Sequence, residues 1–170
     1  MNAPPFQFPV ISICRTVGPY ARPDEEHVTF FLGEADFAVC TSWDLKFHAR
    51  VDMFLADSAG RCWRIVKVHD LGATGSLLER IILSLLQQRR HRVSCELDEL
   101  EAIPLSALKA RVCAAIAGNP DPWRDDEAIA GEDGPPRDEQ EMLDELQDKV
   151  RKAQSVPQII NALYDENLPG

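Results

Sequence analysis

Hydrophobic and polar positions along this chain change period, and the changes mark out its elements. Bulky and β-branched residues from Val10 to Val17 predict a strand, ended by the turn-prone Gly18-Pro19 and Arg22-Pro23-Asp24. A second β-rich region runs from His27 to Trp43, with Phe30, Phe31, Phe37, Val39 and Trp43 supplying bulk. Gly33-Glu34 in its middle predicts a bulge or a turn between two short strands. Strict alternation follows: Leu45, Phe47, Ala49, Val51, Met53 and Leu55 interleave with Lys46, His48, Arg50 and Asp52. Asp57-Ser58-Ala59-Gly60-Arg61 then reads as a hairpin turn in which Gly60 takes the left-handed conformation.

Pairing Asp57 with Arg61 sets Leu55 opposite Trp63 and Met53 opposite Ile65 on the buried side. Continued unchanged, that register would bury Lys67 and His69 and expose Val66 and Val68. A bulge near Ile65-Val66 exchanges the two sets and is therefore expected.

Helical periodicity begins at Ser76-Leu77-Leu78-Glu79, which has capping-box spacing. Leu77, Leu78, Ile81, Ile82, Leu85 and Leu86 continue it as an apolar stripe, and Arg89, Arg90 and Arg92 fall where its negative dipole end should lie. Val93, Cys95 and Leu97 alternate as another strand. Ser106 is placed to cap a helix through Leu108, Val112, Cys113 and Ile116, stopped by Gly118-Asn119-Pro120. Beyond a Gly/Pro-containing stretch, Met142, Leu143, Leu146 and Val150 mark an amphipathic helix. Ser155-Val156-Pro157-Gln158 opens a shorter one bearing Ile159, Ile160 and Leu163.

Strands first and helices later predict an α+β fold: an antiparallel sheet of about 4–5 strands packed with two helices, plus a C-terminal helical hairpin. The divisions expected are an α+β domain over 1–123, an acidic linker over 124–137 and a C-terminal helical segment over 138–170.

Charge changes this picture at one place. Between Asp121 and Asp148 stand twelve acidic residues and two basic ones, Arg124 and Arg137, a net of −10 that equals the formal charge of the whole chain. The remainder is balanced, so a single acidic segment sets the electrostatics and favours a basic protein partner. The basic residues Arg80, Arg89, Arg90, Arg92, Lys109 and Arg111 are interleaved with Glu79, Glu96, Glu99 and Glu101, which argues against nucleic acid as a partner. They are also candidates to dock the acidic segment internally. No apolar run reaches the roughly 20 residues of a membrane span, and Met1 to Pro9 lacks the pattern of a signal peptide. Five irregularly spaced cysteines suit free thiols in a cytoplasmic protein.

Candidate chemistry is sparse, and the chain reads as non-enzymatic. The partner-binding residues expected are Trp123, Asp125, Asp126, Glu127, Glu132, Asp133, Glu141, Asp144 and Glu145, with Trp123 as an aromatic anchor at the border of the acidic run. An alternative is a small-ligand or phosphate-handling enzyme using the β-to-α turn Gly72, Thr74, Gly75 and Ser76 with Arg80. That turn has Gly75 where a P-loop carries lysine. A further alternative is an oligomeric scaffold. His48 and Asp70 face each other in the simple hairpin register, as a surface pair or a base with its orienting carboxylate, with Cys62 or Cys40 as a conceivable nucleophile. His27, His48, His69 and His91 are scattered, no Cys-x-x-Cys occurs, and no metal or cofactor is expected.

The stretches MFLADSAGRCWRIVKVHDLG and HRVSCELDELEAIPLSALKARVCAAIAGNPDPW resemble a pattern in small bacterial proteins of mostly unknown role, some of them proposed as immunity proteins of polymorphic toxin systems. The likeness covers residues 45–124 and rests on turn and packing residues. It implies a cytosolic protein that binds and blocks a cognate toxin, and it assigns no catalytic residue.

Overall fold

The computed structural model describes residues 4–15, 26–75, 89–123 and 138–164. Among these, β1 (Val10–Arg15), β2 (Glu26–Phe31), β3 (Val39–Thr41), β4 (Phe54–Asp57), β5 (Cys62–Ala73) and β6 (Arg90–Leu100) form one curled sheet. Its order is β2-β1-β4-β5-β6-β3, and every neighbouring pair is antiparallel. Five helices accompany it: α1 (Glu34–Phe37), α2 (Ser42–Lys46), α3 (Leu105–Gly118), α4 (Glu139–Lys152) and α5 (Val156–Tyr164). The fold is α+β as expected, with six strands instead of four or five.

β1 has neighbours on both sides and is buried on both faces, which explains its nearly unbroken apolar run. Ile11 and Ile13 face a core shared with α3, α4 and α5, where Val112, Ile116, Val150, Ile159 and Ile160 are fully buried. Val10 and Cys14 face a second core with Phe6, Phe31, Phe37, Met53, Leu55, Trp63 and Ile65. There Phe6 meets Phe37 and Trp63 edge-on at 5.0 and 5.3 Å, an arrangement the ring quadrupoles favour. Leu143 and Val150 of α4 and Ile159 of α5 thus join the same core as the sheet.

The hairpin turn forms as read: the Asp57 amide donates to Arg61 O at 3.0 Å, and Leu55 lies opposite Trp63. The register also slips between Ile65 and Lys67, although against β6 and not against the strand before it. Val66 is left outside, 42 % exposed, while Val68 beyond the slip packs on the second core.

Three expectations need correction. Residues 45–53 are not a strand. Thr41 and Asp44 form a capping box that starts α2, and His48 and Asp52 take positive φ (53° and 64°), which breaks the extended chain. Arg50 then fixes this loop by donating to Phe37 O (2.6 Å) and Val39 O and lying over the Phe31 ring. Arg90 and Arg92 belong to β6 and do not end a helix. Pro104, not Ser106, occupies the N-cap of α3, with no side-chain cap bond. The helix expected from Ser76 and the linker 124–137 fall outside the described residues.

Candidate functional site

α4 starts where Asp138 Oδ1 accepts the Glu141 amide at 3.1 Å, and it presents one face to the core through Leu143 and Val150. The helical repeat therefore turns Glu141, Asp144, Glu145 and Asp148 to solvent. Charge is not uniform along this face. Lys149 pairs with Glu145 (3.3 Å) and Arg151 with Asp148 (2.7 Å), whereas Glu141 and Asp144 make no ion pair among the described residues. Negative potential is therefore strongest near the helix start, where the dipole also favours it. Lys109 donates to Arg151 O (2.6 Å) and Ala153 O (3.0 Å) at the other end, capping it with positive charge. Arg111 pairs with Glu26 at 3.0 Å. Among the described residues neither cation meets an α4 carboxylate; the part of the acidic segment at 124–137 lies outside them.

Trp123 ends a short 3-10 turn, Asp121–Trp123, and packs 5.4 Å from the Tyr164 ring. It borders a hollow of about 270 Å³ shared with Pro122, Met142, Glu145, Leu146, Lys149 and Leu163. The structure thus brings Trp123 and Glu145 to one place, with Glu141 one turn earlier on the same helix. Asp125, Asp126, Glu127, Glu132 and Asp133 lie outside the described residues.

The Gly72 to Ser76 turn is already supplied with acceptors. Gly72 donates its amide to Asp70 Oδ1 (2.8 Å) and Thr74 donates its amide to Arg90 O (2.9 Å). Gly72 and Gly75 take φ of 103° and 90°, which is the need for glycine there. Ser76 and Arg80 fall outside the described residues.

Asp70 has a different histidine partner from the one expected. β5 runs past β4 and pairs with β6, so Asp70 meets His91, with Nδ1 at 3.0 Å from both carboxylate oxygens, and His48 sits in the loop after α2. The Gly72 amide, then His91, hold the Asp70 carboxyl below its ordinary range. His91 Nε2 lies 3.2 Å from Ser42 Oγ, which is also 3.0 Å from Arg89 O. An ionised Asp70 only accepts, so Nδ1 carries a proton and neutral His91 offers Nε2 as an acceptor. Ser42, His91 and Asp70 were not grouped by sequence because they come from three elements and their spacing follows no local motif. Only the β3–β6 and β5–β6 registers bring them together.

Among the described residues, no group of three or more His, Cys, Asp and Glu side chains is placed to hold a metal ion, and no helix is long and apolar enough to cross a membrane. The class these features define is an α+β protein with an acidic helix face beside an aromatic hollow. No protein-family model, curated protein or solved structure matches the chain.

Proposed function

We propose that this protein binds a basic partner protein through the outer face of α4 and the Trp123 hollow, as an inhibitor of immunity type. The observation that carries this reading is the meeting of Trp123 and Glu145 at one hollow, one helical turn from Glu141. A lysine or arginine of the partner fits that chemistry. Its methylenes lie on Trp123, Met142 and Leu146, and its cation exchanges with Lys149 for Glu145. The Lys149–Glu145 pair is more than half exposed on the lysine side, so opening it costs at most about 1 kcal/mol. Cation–π contact adds about 0.5–2 kcal/mol, and the surrounding acids steer approach. A toxin that acts on nucleic acid presents such a basic surface, and an acidic helix competes with phosphate for it. The five cysteines are all free thiols, which suits the cytoplasm as the place of action.

The test is affinity capture on the full chain from native cells, with cross-links mapped to residues. A basic protein cross-linked near Glu141 and Asp144, and lost from Glu141→Gln/Asp144→Asn/Glu145→Gln, supports the reading. A partner retained equally by that variant, or cross-linked only elsewhere, removes it.

One observation favours a second reading, an acyl-transfer enzyme: the Ser42–His91–Asp70 order is that of a nucleophile, base and orienting carboxylate. Two bonds weigh against it. The Ser42 hydroxyl has Arg89 O as a competing acceptor, and the Ser42 amide, a common oxyanion donor, is also given to Arg89 O at 2.8 Å. A fluorophosphonate adduct on Ser42 that disappears in His91→Gln would revive this reading, and an unlabelled Ser42 closes it.

A further inference from the structure

Among the described residues, the sheet has an incompletely covered edge on its other side from α4. β3 accompanies β6 only from Arg90 to Arg92, and the Val93 amide makes one more bond, to Ala38 O at 2.8 Å. Val93 therefore turns its N–H and C=O away from β5, and the two-residue period turns those of Cys95, Leu97 and Glu99 the same way. Among the described residues no strand pairs with β6 on that side beyond Arg92. A cleft of about 640 Å³ lies there instead, walled by Pro5, Phe37, Ala38, Cys95 and Leu97, with Glu34 and Arg92 among its lining. Its size is that of a binding site and not of a packing defect.

We propose that the outer edge of β6 and this cleft receive an extended segment of a partner protein in which apolar residues alternate with lysine or arginine. Only an extended backbone supplies donors and acceptors at the spacing that Cys95, Leu97 and Glu99 present. Alternate side chains of such a segment enter the apolar cleft. Charge selects the rest: Glu34 in the lining and, beyond it, Asp36 on α1 and Glu99 on β6 are exposed acids, against Arg92 in the lining and Arg50, which is already held by Phe37 O and Val39 O. A second copy of this chain is a poor occupant. Two chains that each carry a net charge of −10 repel one another as a whole, whereas a basic segment is attracted. The surface is independent of the α4 hollow, so either can fail alone.

The test uses the full protein and the blocked hexapeptide Lys-Val-Lys-Val-Lys-Val, with amide resonances and amide hydrogen exchange as readouts. Binding should shift Phe37, Cys95 and Leu97 resonances and slow exchange at Cys95 and Leu97. Replacing lysine by glutamate, or N-methylating the peptide backbone, should weaken binding at least about tenfold, as should Glu34→Lys/Glu99→Lys. Those two residues are exposed, so the variant should keep the wild-type spectrum elsewhere. Shifts confined to α4, binding that ignores charge reversal or N-methylation, or a peptide-free dimer with protected β6 amides would each overturn the proposal.

Discussion

Replacing Asp57 should cost more than any other surface-adjacent change in the sheet, and the structure allows the cost to be worked out. Its side chain is 0 % exposed at the β4–β5 turn. Oδ1 accepts the amides of Ala59 (3.0 Å) and Arg61 (2.8 Å). Oδ2 accepts the Gln7 amide (3.0 Å) and two bonds from the Arg61 guanidinium (3.1 and 2.8 Å). In Asp57→Ala three amides lose a charged acceptor. Ala59 and Gln7 are exposed and their amides recover with water, while that of half-buried Arg61 is lost at about 1.5–2 kcal/mol. The Arg61 side chain is 43 % exposed, so its ion pair adds no more than about 1 kcal/mol. The expected loss is about 3 kcal/mol, a large share of the roughly 5–15 kcal/mol by which domains are stable. In urea melts with a slope of about 2 kcal/mol/M the midpoint should fall by about 1.5 M. Asp57→Asn keeps one oxygen but aims an amide donor at donors, and should cost about 2–3 kcal/mol. Arg61→Met should cost only about 1 kcal/mol. An Asp57→Asn protein as stable as wild type, or an Arg61→Met protein as weak as Asp57→Ala, would refute this assignment of the turn's stability to the buried carboxylate.

Two further outcomes follow from the same geometry. Burial pushes the Cys14 and Cys40 thiols up to about 11, so both stay protonated at mildly alkaline pH. Iodoacetamide at about pH 8 should modify them only as fast as the protein unfolds, read by peptide mass, and stoichiometric modification of the native protein would contradict it. The Asp70 carboxyl is depressed by Gly72 and His91, so its contribution is complete above the unfolded value and is lost as pH falls through the lower folded one. Stability of wild type over Asp70→Asn should therefore be present at about pH 5 and shrink below about pH 4 in melts across pH. An advantage undiminished at about pH 2 would contradict it.

Local chemistry was legible and distant pairing was not. The Asp57 to Arg61 turn, the Leu55–Trp63 register and the slip at Val66 could be read because each follows from alternation and turn residues within a short span. The Asn119 stop of α3 and the Ser155 start of α5 are likewise local, with Ser155 Oγ accepting from the Gln158 amide at 3.4 Å. Residues 45–53 misled because their alternation is real but serves a loop. The Thr41–Asp44 capping box and the Arg50 bonds to Phe37 O and Val39 O override strand propensity. His91 was missed as the partner of Asp70 because that contact depends on β5 outrunning β4, which no local pattern records. At the candidate site, Trp123 and the α4 acids were visible as charge and an aromatic residue. That Glu145 is countered by Lys149 while Glu141 is not is a matter of side-chain geometry, beyond any count of charges.

The most direct test of the acidic-helix proposal is the association rate of the captured basic partner, measured against ionic strength. With wild type it should fall at least about tenfold from low to moderately high salt, because screening shortens the range of the α4 field. With Glu141→Gln/Asp144→Asn/Glu145→Gln it should start lower and respond less to salt. Equal rates and equal salt dependence for the two proteins would contradict the claim that the α4 face recognises the partner.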